Sequence, residues 1–589
     1  MGFWPLAVST EDDIDSLCVV ESGICGLDQQ STKVLELLPM TSSQSLNFES
    51  LNMKKLFLII FLAFLTMMMS AQTYGVDHGK KIVVATGRLL DGTKSYKESL
   101  TIGGETYTCY RSEMPLITIT TDGPIVNSPA VHGIINVADA DGNVITMHAG
   151  FKIRGTSSQQ YDKKSYRVEL WADETGAEMA DTTFLGLRSD DDWNLEAMWA
   201  QPLRLRDKVA NELWMEMYQL PYLENEPDAR PGIRMVYADV FVNEEYKGVY
   251  ALTERMDRKQ LGLRKYNGDI RGVLYKGNGP GAPTFDTLPA YDNTLDTWDN
   301  YEWVYPNESD TAINWDHLYS FTNFVINASY NVFYSQYAAQ FDKDNAVDCY
   351  LFINSLMAMD NMGRNLFVAR YKKSSTYMYL PWDLDAIWGL DTEGNKTYNT
   401  AGLKSNGFYD RLTQDCNDYG FVASAKTRYN ALRTDILTTD HIMEMIQNQY
   451  DELVESGVYE REHEAWPGFT VDEGQLDYMR WWLDNRFNYL DSEINAACGT
   501  WGIEAPELVE GPTRFVEVFP NPAKDRINIR FETADEASVR LYDMMGRLVF
   551  SDASNTQVFV ISTQGLGRGV YTLVINIADN QQIERVVVE

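Results

Sequence analysis

Between Pro115 and Leu170 apolar and polar residues alternate along PLITIT, HGIINVADADGNVITMHAGFKIRG and KSYRVEL. A period of two over this many β-branched and aromatic residues predicts strands, and DGN at 141–143 predicts a hairpin turn between two of them. The period changes in PLRLRDKVANELWMEMYQL, residues 202–220, which follows DDDWN and reads as a helix. MVYADVFVNEEYKGVYALTER then predicts two further strands and GNGPGAP a loop, before a mostly helical stretch from about 312 to 498. The central region is therefore α+β, strand-rich first and helix-rich later.

Past Trp501, IEAPELVEGPT reads as a linker (501–513), and RINIRF, SVRLYDM, VFVIST, GVYTLVINI and QIERVVVE follow as evenly spaced strands. They predict a small β-sandwich over 514–589. At the other end, MKKLFLIIFLAFLTMMMSAQ (Met53–Gln72) has two lysines, a short apolar run and a small-residue exit at Ser70 and Ala71. That is the pattern of a secretory signal peptide, 53–71, too short and wrongly flanked for a stable span. Its place 52 residues into the chain predicts translation from Met53 with 1–52 as an extension; an uncleaved signal-anchor is the alternative. An N-terminal segment, 72–112, and a main domain, 113–500, remain.

A chain of 589 residues predicts two to four domains, and 44% hydrophobic with 23% charged residues is globular. The net charge of −35 repels phosphate backbones and anionic headgroups, which excludes nucleic acid and membrane surfaces as partners and suits divalent cations. After the signal stretch only Cys109, Cys349, Cys416 and Cys498 remain, without CxxC spacing, so pairing in an oxidising compartment and isolated buried thiols both stay open. EREHEAW around His463 is not HExxH, which argues against a zinc hydrolase.

Candidate chemistry concentrates in residues 350–389, YLFINSLMAMDNMGRNLFVARYKKSSTYMYLPWDLDAIWG. LFVARY and TYMYL predict two strands joined by KKSS, and such a hairpin brings its entrance, Asp360 and Asn365, beside its exit, Asp383. Protein kinases use this order: an Asp that takes the acceptor proton, an Asn five positions on that holds metal, and a second metal-binding Asp beyond a hairpin. Asp383 and Asp385, two apart on an extended segment, are expected to face one side and share a metal. A single DxD is more often a turn or helix cap; the combined order is what raises it above that. FKIRGTSSQQYDKKSYRVEL, 151–170, adds Arg154, Gly155, small hydroxyls, Lys163 and Lys164 as candidate phosphate contacts, although basic residues on strands usually face solvent.

Together LITITTDG, RGTSS with KKSYRVEL, DDDWNLEAMWAQPLRLRDKVANEL, EEYKGVYALTERMDR, MDNMGRNLFVARY and PWDLDAIWG resemble the CotH kinase family, the spore-coat-protein-H-like atypical kinases, over roughly residues 113–497. The resemblance implies a reduced kinase-like fold that uses ATP and Mg²⁺ or Mn²⁺ to phosphorylate Ser or Thr of proteins. It implies Asp360 as catalytic, Asn365 and Asp383 as metal ligands with Asp385 beside them, and Lys164 on the phosphates with Lys163 competing. Arg154, Glu254 and Lys276 are implied to line the nucleotide cleft. The chain departs from the family at Met359, where asparagine is usual. FPNPAKDRINIRF, VRLYDMMGRLVF and GRGVYTLVI, with Gly546 and Gly569 at turns, resemble the type A sorting domain of type IX secretion cargo in Bacteroidetes. This implies export through the periplasm to the medium or outer cell surface, secreted or surface proteins as substrates, and no transmembrane helix after signal removal.

Two other readings stand beside the kinase. A silent scaffold or adhesion protein on the same fold would use its 12% aromatic residues for contacts, but would be expected to have lost the Asp360, Asn365 and Asp383 set. A glycosidase needs carboxylates ~5–10 Å apart across a sugar, whereas Asp383 and Asp385 are near neighbours.

Overall fold

The computed structural model describes residues 73–501 and 516–588, apart from 90–91, 280–283, 308, 310, 359, 473, 532–536, 544–546, 555, 557 and 578–579. The extension, the signal stretch, nearly all of the linker, Met359 and Gly546 lie outside the described residues.

The alternating segments close into a seven-stranded barrel. Its order is Asp192–Glu196, Glu245–Thr253, Met235–Val242, Leu116–Thr121, Val131–Ala138, Val144–Ile153 and Tyr166–Trp171. Only the pair formed by residues 116–119 and 239–242 is parallel; every other barrel neighbour is antiparallel. Alternation decides what fills it: along Tyr166–Trp171, Tyr166, Val168 and Leu170 point inward beside Phe151, Trp193 and Leu252. The strands at 235–242 and 245–253 carry near-continuous apolar runs because both faces are covered. Their second face, with Tyr237, Val249 and Ala251, joins the main core under the helix Arg206–Met217.

A five-stranded sheet follows, in the order Thr297–Trp298, Tyr301–Tyr305, Val273–Gly277, Leu366–Arg370 and Tyr377–Pro381. Helices at Asp316–Asn327, Tyr330–Gln340, Lys343–Leu356, Phe421–Leu432, Thr439–Glu455 and Gly474–Asn495 pack with it around one core of Trp, Tyr, Phe and Leu. Residues 73–112, for which no elements were expected, form a separate four-stranded sheet.

The architecture is thus mixed α/β, strands first and helices later. The predicted helix at 202–220 is shorter, Arg206–Met217, because the chain turns at Arg204, whose φ is +59°. The C-terminal region contains all five predicted strands plus Val516–Phe519 and Leu548–Ser554, in sheets of three and four strands that share one apolar core. Cys416 and Cys498 form a disulfide, while Cys109 and Cys349 are free and buried.

Candidate functional site

The hairpin closes as its sequence requires. Leu366–Arg370 and Tyr377–Pro381 pair in register from Leu366 opposite Pro381 to Arg370 opposite Tyr377. Buried Asn361 then ties the two ends together: its Nδ2 donates to the carbonyl of Asn365 at 3.0 Å and to that of Trp382 at 2.8 Å. The Trp382 N–H returns a bond to the Asn365 carbonyl at 3.0 Å, and the Asn365 N–H reaches the Gly277 carbonyl at 3.2 Å. Gly277 tolerates this approach because it lacks a side chain; a Cβ there would lie 1.9 Å from the Gly363 carbonyl.

One correction concerns the exit. Residues 382–385 are not an extended strand, since Asp383 has φ +57°, so strand alternation does not align Asp383 with Asp385. They nevertheless line one cavity, because the turn at Asp383 swings both carboxylates toward it.

That cavity, about 640 Å³, lies between the barrel, the start of the 206–217 helix and the hairpin loop. Asp207, Asp360, Asp383 and Asp385 contribute acid, and Arg154, Lys276 and Arg364 contribute cations. Arg154 is engaged with Glu196, and Arg364 stands 3.8 Å from Asp360. Burial, then the charges of Asp383, Asp207 and Asp360, holds the Asp385 carboxyl well above the usual carboxylate range. Asp207 is pushed up to about 7 by burial and then by Asp383. On the cation side burial lowers Lys276 and Arg154, opposed at both by the charge of Asp383. Burial is the main cause at both acids and the neighbouring carboxylates add to it; a cation bound among them would favour their charged forms.

The donor set fits Mg²⁺ or Mn²⁺ shared with a phosphate better than an all-protein cage. Among the described residues only Asp181, Asp190 and Asp191 bring three acidic oxygens within 4.8 Å of one another, and the Lys259 ammonium already occupies that group at 2.5–2.8 Å. Mg²⁺ typically takes one or two carboxylates and completes its shell with water and substrate phosphates. Asp383 and Asp385, with Asn365 beside them, offer such a partial shell.

Of the residues expected at the site, Asp360, Asn365, Asp383, Asp385, Arg154 and Lys276 line the cavity. Lys164 and Glu254 do not. Of the lysine pair, which lies in the bend before the Tyr166–Trp171 strand, only Lys163 lines the cavity, where its ammonium bonds Glu462 at 2.6 Å and the Val249 carbonyl at 2.6 Å. Lys164 instead donates to the carbonyls of Gln159, at 2.8 Å, and Tyr161. Glu254 is fully buried and accepts from the Arg188 and Arg234 N–H groups, the Arg234 guanidinium and Gln260, a structural role. Asp207, Glu196 and Glu393 are the cavity-lining acids that sequence reasoning missed. An Asp in a helix's first turn is ordinary, and nothing local sets Asp207 apart.

The barrel and hairpin of this mixed α/β protein enclose a cleft lined by both carboxylates and cations. Residues 151–490, more than half of the chain, match the family described as CotH kinase protein, and the chain belongs to it. Residues 517–589 match the Secretion system C-terminal sorting domain, which marks an exported protein, secreted or at the cell surface. Inner spore coat protein H of Bacillus subtilis (strain 168) is 23% identical over 304 residues, 51% of this chain and 75% of that protein. A solved structure from work on PorZ, a surface component of the type-IX secretion system of Porphyromonas gingivalis, is 24% identical over 13% of this chain and 11% of its own, with a TM-score of 0.12. Among the described residues no helix is long and apolar enough to cross a membrane.

Proposed function

We propose that the protein is an exported atypical protein kinase that transfers the γ-phosphoryl group of ATP to Ser or Thr of secreted or surface proteins. In this reading the barrel and the hairpin-bearing lobe form a kinase-like fold. The C-terminal sheets form a β-sandwich handled by the type IX machinery. The observation that carries the reading is the convergence of Asp360, Asn365 and Asp383 on one cavity opposite Lys276 and Arg154.

Asp383 and Asn365 would hold Mg²⁺ or Mn²⁺, with Asp385 beside them, and the bound metal would neutralise charge on the phosphates. Lys276, for which no ion pair is recorded among the described residues, faces the phosphates from the sheet, and Arg154 from the barrel. Asp360, half-buried at the hairpin entrance, accepts the proton of the acceptor hydroxyl as its oxygen bonds phosphorus and the bond to the β-phosphate oxygen breaks. Lys164 and Glu254 have no part in this step.

The purified chain, incubated with labelled ATP and Mg²⁺ or Mn²⁺ and mapped by mass spectrometry, should acquire phosphate on hydroxyl residues. Asp360→Ala should reduce the rate by roughly 10²-fold or more. Equal labelling in the two proteins removes Asp360 from the chemistry; nucleotide binding without transfer in both favours the scaffold.

A further inference from the structure

We infer that Asp207 is a positioning residue, a latch that hangs the Asp383–Asp385 turn on the start of the 206–217 helix. The inference rests on the proposed kinase reading and adds to it a residue that touches no reacting atom.

The turn needs such a support. Asp383 sits at φ +57°, a conformation that costs a non-glycine residue of order 1 kcal/mol or more and persists only when its surroundings impose it. Among the described residues the Asp385 carboxylate accepts only from its own backbone N–H, and neither Asp383 nor Asp385 has an ion pair or side-chain hydrogen bond to another residue, so their carboxylates do not tie the turn to a neighbouring element. What grips it is the backbone between them: the Leu384 N–H donates to Asp207 Oδ1 at 3.1 Å, while the Leu384 side chain is fully buried in the main core. The same Asp207 oxygen accepts from Asn211 Nδ2, one helical turn on, at 3.1 Å, and the Asp207 N–H donates to Gln201 Oε1. The acceptor is thus oriented from two sides. The helix carries no side-chain N-cap, and the Asp207 carboxylate in its first turn instead bonds the backbone of the 383–385 turn.

A carboxylate so close to the proposed metal ligands has a second possible role, direct metal ligation. The geometry favours the latch, because one oxygen is already committed to two donors. Asparagine separates the roles: its carbonyl oxygen still accepts from Leu384 but is a far poorer metal ligand than a carboxylate.

The test uses the full chain with Asp207→Asn and Asp207→Ala, read first without nucleotide by amide hydrogen exchange across residues 382–387. Removing the acceptor leaves the buried Leu384 N–H without its partner, which predicts that Asp207→Ala exchanges at Leu384 about tenfold faster or more, while Asp207→Asn stays within about threefold of the parent. Binding of Mg²⁺–ADP by calorimetry should follow the same order, as should the kcat for phosphate transfer, with the KM for the acceptor peptide unchanged. The inference is overturned if Asp207→Asn loses as much as Asp207→Ala, which makes the charge and hence ligation decisive. It is equally overturned if Asp207→Ala leaves exchange unaltered. Should the alanine variant not fold, the asparagine variant decides alone through its Leu384 exchange and Mg²⁺–ADP affinity. A parent chain that binds no Mg²⁺–ADP sinks the kinase reading, while the exchange result still judges the latch.

Discussion

Glu254 and Lys163 show how a charged side chain beside a motif is claimed by the fold. Five donors converge on Glu254, and although burial opposes it, the Arg234 guanidinium and backbone N–H groups hold its carboxyl below the usual range. A carboxyl depressed in the folded state contributes stability above its unfolded pKa, near 4.5, that is lost as pH falls through the folded value. Glu254→Gln should therefore cost about 1–3 kcal/mol at pH 7, with the deficit shrinking below about pH 4. Urea unfolding across pH 3–7 checks this, and nucleotide affinity should not move. Lys163 faces the cavity, but its ammonium is spent on Glu462, which also accepts from Arg204 at 3.2 Å. Burial lowers Lys163 to about 8, with Glu462 opposing. Replacing it with alanine leaves Glu462 and Arg204 in an unbalanced buried network and should cost about 3 kcal/mol, read by denaturant unfolding.

At the scale of elements the hairpin is the unit that makes the site. Its strands were legible because LFVARY and TYMYL are short, β-branched or aromatic and separated by a polar turn. Their consequence, that Asp360 and Asn365 meet Asp383, followed from hairpin geometry alone. The clamp that holds the ends was not legible, because Asn361 looks like any loop asparagine until both carbonyls are in place. Asn361→Ala removes two donors from buried carbonyls and should destabilise the chain by about 2 kcal/mol. Phosphate transfer should fall with it as the entrance and exit separate, measurable by thermal unfolding alongside the labelling assay. The left-handed backbone at Asp383 escaped the sequence for a related reason: a non-glycine residue adopts it only where neighbouring elements impose it.

For the whole molecule, the main core and the C-terminal core share no residue, and the family matches end at 490 and begin again at 517. The Cys416–Cys498 disulfide, spanning 82 residues of sequence, closes the helical part before the linker, as suits a chain that matures outside the reducing cytosol. Deleting residues 514–589 should leave that bond formed and the unfolding midpoint of the remaining chain within a few degrees, while the protein stops in the periplasm. Peptide mapping without reductant and fractionation read the two results; unchanged surface display of the deletion would remove the sorting role.

What the sequence determined by itself was local or short-range. Periodicity, turn residues and hairpin return are set by contacts between near neighbours, so six of the seven barrel strands, the 366–381 hairpin, five C-terminal strands, the 206–217 helix and the Asp360–Asn365–Asp383 convergence could be read before any fold was seen, whereas the sheet at 73–112 could not. Only the tertiary structure decided which lysine of the 163–164 pair faces inward, that Glu254 serves the scaffold, that Cys416 finds Cys498, and that Asp207 reaches Leu384 across 177 residues of sequence. Each depends on elements far apart in the chain packing together, and the energy that selects the partner appears only once burial has removed water as the alternative.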